Sequence, residues 1–133
     1  MFALEARRKW MKFFIMAESG GLPSVSDFIS GLSTRWPGAT VKQIANPERS
    51  YSLEFSVPMA DSALEGLLDR TGDSITFEGA SLREISGFVQ WYRALVPAHL
   101  PLIFCDESMN GEVKVTPTMT AEEILEAFHA SGG

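Results

Sequence analysis

The spacing of apolar residues along the chain predicts a mixture of strands and helices. Residues 10–17 are dense in aromatic and branched side chains, which is typical of a strand in the middle of a sheet. From residue 51 to residue 57 apolar and polar positions alternate, which predicts a strand with one face on the core. Two further strands are predicted at residues 39–45 and 74–78.

Helices are predicted where a capping residue precedes apolar positions at helical spacing. Ser24 precedes one such segment, and Asp61 is interpreted as the cap of a short helix whose inner face runs from Ala63 to Leu68. Two later helices start with capping boxes, in which a hydroxyl and a glutamate three residues later satisfy free amides. The capping boxes are Ser81 with Glu84 and Thr120 with Glu123.

These segments predict an α/β (α+β) fold for residues 1–133, taken as one domain in the order β-α-β-β-α-β-α-β-β-α. We expect a single mixed, largely antiparallel sheet of about six strands, with the helices mainly on one face. The first half of this order resembles the split βαβ order of ferredoxin-like folds.

Residues 101–116, PLIFCDESMNGEVKVT, read as a hairpin. Asn110-Gly111 favours a two-residue type I′ turn, because both residues tolerate positive φ. That turn places Glu107 opposite Lys114 as a cross-strand ion pair and directs Leu102, Phe104, Val113 and Val115 to the core.

The same register directs the Asp106 carboxylate toward the core side. Asp106 must then be hydrogen-bonded, displaced by a bulge or placed beyond the edge of the core, or else it serves to anchor a partner's basic side chain. The hairpin therefore holds four candidate partner-binding residues. They are Asp106, Glu107, Met109 and Glu112.

Trp91 and Arg93 are two further candidate partner-binding residues. Trp91 lies at the margin of the apolar face of the helix that follows Ser81, and Arg93 is close to it in sequence. Tryptophan and arginine are enriched where binding energy concentrates in protein interfaces, although a partly exposed tryptophan also serves simply as packing.

The chain is acidic, with a net charge of −6, and the charge is unevenly distributed. Residues 1–49 carry seven basic and four acidic groups (+3), whereas residues 50–133 carry four and thirteen (−9). Nucleic-acid affinity comes largely from lysine and arginine, so we expect no nucleic-acid partner. A basic protein surface is the partner that this charge favours.

The cysteines, histidines and short motifs of the sequence limit the cellular location and the kinds of reaction that we expect. A single cysteine excludes an internal disulfide, no secretion signal or membrane span is expected, and a cytoplasmic location follows as the default. The two histidines have no zinc-ligand spacing to Cys105, so no metal or cofactor is predicted. Familiar catalytic motifs are missing from the sequence, which favours a protein that is not an enzyme. Paired carboxylates among the thirteen acids leave a small enzyme open as an alternative.

The segment VQWYRALVPAHLPLIFCDESMNGEVKVTPTMTAEEILEAF, residues 89–128, combines a helix end, a strand leading to acidic residues and a capped helix. The matching positions are Trp91, Tyr92, Arg93, Leu95, Val96, Pro97, Asp106, Glu107, Thr120 and Ile124. This pattern resembles small bacterial immunity-type proteins of polymorphic toxin systems. The resemblance implies a cytoplasmic inhibitor that neutralises a toxin domain by surface complementarity. A small-molecule sensor, a structural or regulatory subunit and a small enzyme remain alternatives.

Overall fold

A computed structural model of the chain describes residues 11–17, 23–60 and 62–133, and these form a mixed α+β fold. The predicted fold class is confirmed, with seven strands in place of about six and three helices among the described residues. The strands are β1 Phe13–Ala17, β2 Thr40–Gln43, β3 Tyr51–Pro58, β4 Ala63–Asp69, β5 Ser74–Glu78, β6 Leu102–Asp106 and β7 Glu112–Lys114. The helices are α1 Val25–Arg35, α2 Leu82–Leu95 and α3 Ala121–Ser131.

All seven strands belong to one sheet in the order β2-β3-β4-β5-β1-β6-β7, and every neighbouring pair is antiparallel. β1 lies between β5 and β6, which confirms the prediction of a strand inside the sheet. Trp10, the first residue of that predicted strand, lies outside the described residues. β2 to β5 follow one another as a meander, so the predicted ferredoxin-like order is wrong.

The three described helices pack on the same face of the sheet. Phe28 of α1 contacts Phe55 of β3, with ring centroids 5.2 Å apart. Phe88 of α2 meets Phe77 of β5 at 5.3 Å, and Phe128 of α3 meets Phe104 of β6 at 5.2 Å. These strand residues are buried and alternate with more exposed neighbours. The opposite face of the sheet carries none of these three helices.

The helix predicted after Asp61 is instead strand β4, and Asp61 itself lies outside the described residues. Leu64, Gly66 and Leu68 are buried while the residues between them are more exposed, which is the period of a strand. The ring of Phe55 occupies the space above Gly66, where an added Cβ would lie 2.2 Å from Cζ. The contact between Phe55 and Gly66, which requires glycine, therefore outweighs the local preference of this segment for a helix.

The other helix starts are as predicted. The Ser24 Oγ accepts a hydrogen bond from the Asp27 amide at 3.1 Å, and α2 and α3 both begin with complete capping boxes. α2 is the longest described helix, with 14 residues, and ends two residues before Pro97. Within the described part of the chain, no helix has the length and apolar character needed to cross a membrane.

Candidate functional site

The β6–β7 hairpin has a longer loop than the sequence predicts. The last residue pair between the two strands is Cys105 with Glu112, so six residues separate its members. These residues, Asp106 at the end of β6 and the connection 107–111, are here called the β6–β7 loop. Neither Asn110 nor Gly111 has a positive φ, and the positive φ of 63° belongs to Met109. The predicted type I′ turn is therefore wrong.

The observed pairing of β6 with β7 removes one predicted contact but leaves each side chain on its predicted face of the hairpin. Lys114 lies opposite Ile103, so the predicted ion pair between Glu107 and Lys114 does not form. The shift from the predicted pairing is an even number of residues, and an even shift leaves every side chain on its original face. The predicted core-facing residues are accordingly buried: they are Leu102, Phe104, Val113 and Val115.

Asp106 organises the β6–β7 loop from inside. Its side chain is buried, with 4% of the residue exposed, and accepts a hydrogen bond from the Ser108 hydroxyl at 2.7 Å. The Ser108 Oγ in turn accepts from the Asn110 amide at 3.2 Å. The Met109 amide donates to the Asp106 carbonyl at 3.1 Å, which closes a turn. Of the structural explanations considered for Asp106, hydrogen bonding is the one that the structure contains.

The C-terminal end of α3 supports the loop from the other side. Gly111 is buried against Phe128, and a Cβ at position 111 would lie 2.5 Å from ring atoms of that side chain. The Glu112 amide donates to the Ser131 Oγ at 2.9 Å. Backbone and side-chain bonds on both sides therefore hold the loop in one conformation.

The loop and the first residue of β7 present two acids and a methionine to solvent. Glu107 and Glu112 are exposed, and Met109 is 52% exposed. The Glu107 amide donates to the Lys12 carbonyl at 3.0 Å, and the Glu107 carboxylate accepts from the Lys12 amide at 3.4 Å. Met11, the residue before Lys12, therefore lies close to the loop.

Met11 is 45% exposed and was not among the predicted site residues, because only the pairing of β1 with β6 brings it to the loop. Four exposed side chains lie at the end of the sheet where β1 begins, β6 ends and β7 begins, and we call them the acidic–methionine patch: Met11, Glu107, Met109 and Glu112.

Cys105 lies beside the patch but is poorly suited to nucleophilic chemistry. Burial raises the pKa of the Cys105 thiol, and the carboxylates of Glu112 and Asp106 raise it further. A raised pKa keeps the sulfur protonated at neutral pH, whereas a nucleophilic cysteine requires the thiolate.

Arg93 is buried, which disfavours the prediction that it binds a partner. Only 3% of the residue is exposed. Its guanidinium donates to four backbone carbonyls near the end of α2 and in the segments that enter β6 and leave β7. The acceptors are Leu100 at 2.8 Å, Pro97 at 2.6 Å, Val96 at 3.3 Å and Val115 at 3.3 Å. Arg93 therefore joins three segments of backbone from inside.

Trp91 is half-buried and packs against different elements from the β6–β7 loop. Its ring lies 5.2 Å from that of Trp36 and 5.8 Å from that of Phe28, in and just after α1. Trp91 also lines a groove of about 870 Å³ between α1 and the end of α2. The structure thus separates Trp91 from the four hairpin residues with which it was grouped.

A second groove, of about 460 Å³, lies on the sheet face opposite the three described helices. Glu65 of β4 stands directly opposite Glu78 of β5, and Glu54, Lys12 and Lys42 line the same groove. Neighbouring like charges on a sheet are destabilising by a few tenths of a kcal/mol to about 1 kcal/mol. The described residues contain no group of three or more histidine, cysteine or acidic side chains arranged to hold a metal ion.

Comparison with known proteins adds no family to these observations. No family model matches the chain, and neither the curated proteins nor the solved structures gave a match.

Proposed function

We propose that the chain is a stoichiometric protein-binding module, and specifically an immunity protein that neutralises a bacterial toxin domain in the cytoplasm. The observation that carries the proposal is the acidic–methionine patch, which hydrogen bonds within the β6–β7 loop and from Glu112 to Ser131 support. The resemblance of residues 89–128 to immunity-type proteins points to the same role.

A loop held in one conformation is suited to tight binding because little freedom is lost when a partner docks. Ordering an interface side chain or loop on binding costs about 0.5–1.5 kcal/mol per flexible side chain. Asp106, Gly111 and Ser131 already hold the backbone in place in the free protein. That cost therefore falls mainly on Glu107, Met109 and Glu112, whose side chains stand in solvent.

The chemistry of the patch defines the partner surface that would fit it. Carboxylates form strong hydrogen bonds with arginine and lysine, and methionine is flexible enough to fill irregular apolar pockets. The complementary surface is therefore basic, with an apolar depression near its centre. Basic clefts are typical of proteins that act on nucleic acids or nucleotides, since the substrates of those proteins are anionic.

The alternative of a small enzyme with paired carboxylates has its best location at Glu65 and Glu78. These side chains face each other across β4 and β5 within the groove on the open sheet face. A glycosidase-type mechanism requires two carboxylates at a defined separation. Substitution of both by glutamine would abolish such an activity and would leave binding through the patch unchanged.

Titration against a toxin domain encoded beside this chain tests the proposed function. The expected result is a one-to-one complex in light scattering and complete loss of toxin activity at one molar equivalent. Complete loss at a small fraction of one equivalent would indicate turnover and would contradict the proposal. Absence of both complex and inhibition would contradict it as well.

A further inference from the structure

The groove between α1 and the end of α2 has a second set of features that the acidic–methionine patch does not explain. Asp27, Gly31, Thr34 and Arg35 of α1 line it, at the spacing of one helical face. Trp91 and Leu95 of α2 form its other wall. The buried residues Phe28 and Leu32 of α1 face the core instead, whereas Asp27, Thr34 and Arg35 on the groove-lining face are exposed in the part of the chain that the structure describes.

The charges along this face are arranged symmetrically. Asp27 lies in the first turn of α1 and Arg35 in the last, with Gly31 midway between them. Two copies of α1 that cross antiparallel at Gly31 bring each Asp27 to the Arg35 of the other copy. Such an isologous contact requires a surface that is complementary to itself, and this face meets that condition.

The groove beside Gly31 has an apolar wall that a crossing helix would cover. A Cβ at Gly31 would lie 3.4 Å from Cζ2 of Trp91 and 3.5 Å from Leu95, so apolar side chains lie directly beneath the glycine. The Thr34 hydroxyl already donates to the Ser30 carbonyl at 2.9 Å, so covering it leaves no donor unpaired. The Arg35 guanidinium lies 4.7 Å above the ring of Trp36, which holds it at the end of the groove.

Charge complementarity identifies a second copy of the chain as the occupant. The molecule carries a net charge of −6, so two copies repel each other over most of their surfaces. On this face one acid and one base cancel, and antiparallel pairing converts them into two intermolecular ion pairs. We propose that the chain forms a weak two-fold dimer through α1, with Asp27 of each copy bound to Arg35 of the other.

Sedimentation equilibrium over about 5–500 µM protein measures this dimer, for which a pair of crossing helices favours a micromolar dissociation constant. Asp27→Arg sets two arginines against each other at both ends and should weaken the dimer at least tenfold. Asp27→Arg combined with Arg35→Asp restores opposite charges and should recover the wild-type constant within about threefold. Glu48→Arg has the same charge change as Asp27→Arg, and its exposed site on the β2–β3 connection makes it the matched control.

Thermal unfolding of each variant confirms that it is folded, and Gly31→Gln gives an independent test because its side chain fills the groove. Gly31→Gln should leave the protein monomeric. A wild-type chain that stays monomeric to the highest concentration would overturn the proposal. An unchanged constant in Asp27→Arg would overturn it too, as would a charge exchange that fails to restore a dimer lost in the single variant.

Discussion

Two stretches were predicted to bind a partner, residues 91–93 and residues 106–112, and their charged side chains differ in burial. Arg93 is 3% exposed and donates to four backbone carbonyls, whereas Glu107 and Glu112 extend into solvent. A charged residue therefore serves the fold in one stretch and is available to a partner in the other. Substitution of Arg93 should therefore change stability, whereas substitution of Glu107 and Glu112 should change binding.

The largest expected effect belongs to Arg93→Met, which keeps the side-chain length and removes the charge. The four carbonyl acceptors lose their donor, and each acceptor left buried without a partner costs about 1–3 kcal/mol. Urea unfolding measures this loss. Arg83→Met on the same helix is the matched control, because Arg83 is exposed in its ion pair with Glu122 and should change stability by less than about 1 kcal/mol. Equal losses for the two variants would contradict an interior role for Arg93.

Gly111→Ala should destabilise the protein by about 1–3 kcal/mol, since it forces atoms into occupied space. The new methyl group would lie 2.5 Å from the ring of Phe128 and 2.8 Å from the Cα of Gly133. Gly87→Ala is the control, because an added Cβ there meets nothing within 4 Å and alanine favours a helix by up to about 1 kcal/mol. The two substitutions should therefore shift the unfolding midpoint in opposite directions. A harmless Gly111→Ala would mean that α3 does not support the loop.

Tyr92, between Trp91 and Arg93, provides a test by pH. Burial raises the pKa of Tyr92 to about 12, above its ordinary value near 10. The unfolded chain therefore loses this proton first, and folding stability falls as the pH rises from about 10 to about 12. The contribution is about 1.4 kcal/mol per pH unit in that interval. Tyr92→Phe should flatten this part of the stability profile, measured by unfolding at pH 9, 10 and 11. If stability falls as steeply with pH in Tyr92→Phe as in the wild type, the Tyr92 hydroxyl is exposed to water and the prediction is wrong.

Most of the fold was predictable because its signals are local. The capping boxes at Ser81 and Thr120 and the alternation in β3 each depend on a few neighbouring residues, and the structure contains all three. β4 was not predictable in this way. Its leucines fit helical spacing as well as a buried strand, and the contact of Phe55 with Gly66, which favours the strand, joins residues from two strands.

The candidate site was predictable only in part, for the same reason. Asn110-Gly111 is a strong local turn signal, yet packing of Gly111 against Phe128 and the bond from Glu112 to Ser131 favour a longer loop. Both contacts come from α3. Met11 joins the patch through the pairing of β1 with β6, which no local pattern predicts. Exposure of Glu107 and Glu112 was anticipated because alternation in a strand survives an even shift of register.

The smallest expected change in stability belongs to the double variant Glu107→Lys with Glu112→Lys, because both residues are exposed. This variant tests most directly the central claim that the acidic–methionine patch binds the partner. Asp106 is left intact because it holds the loop. Glu48→Lys with Glu65→Lys is the matched control, with the same change in charge at exposed positions on the β2–β4 side of the sheet. The variant of Glu107 and Glu112 should unfold within about 0.5 kcal/mol of the wild type. The control should be up to about 1 kcal/mol more stable, because Glu65→Lys removes the like-charge contact with Glu78.

Calorimetric titration with the toxin domain then gives the dissociation constants of the wild type and both variants. The account predicts a constant weakened at least about tenfold for the loop variant, with a smaller effect at high salt, and little change for the control. Equal affinity of the loop variant and the wild type, or a loss confined to the control, would contradict it.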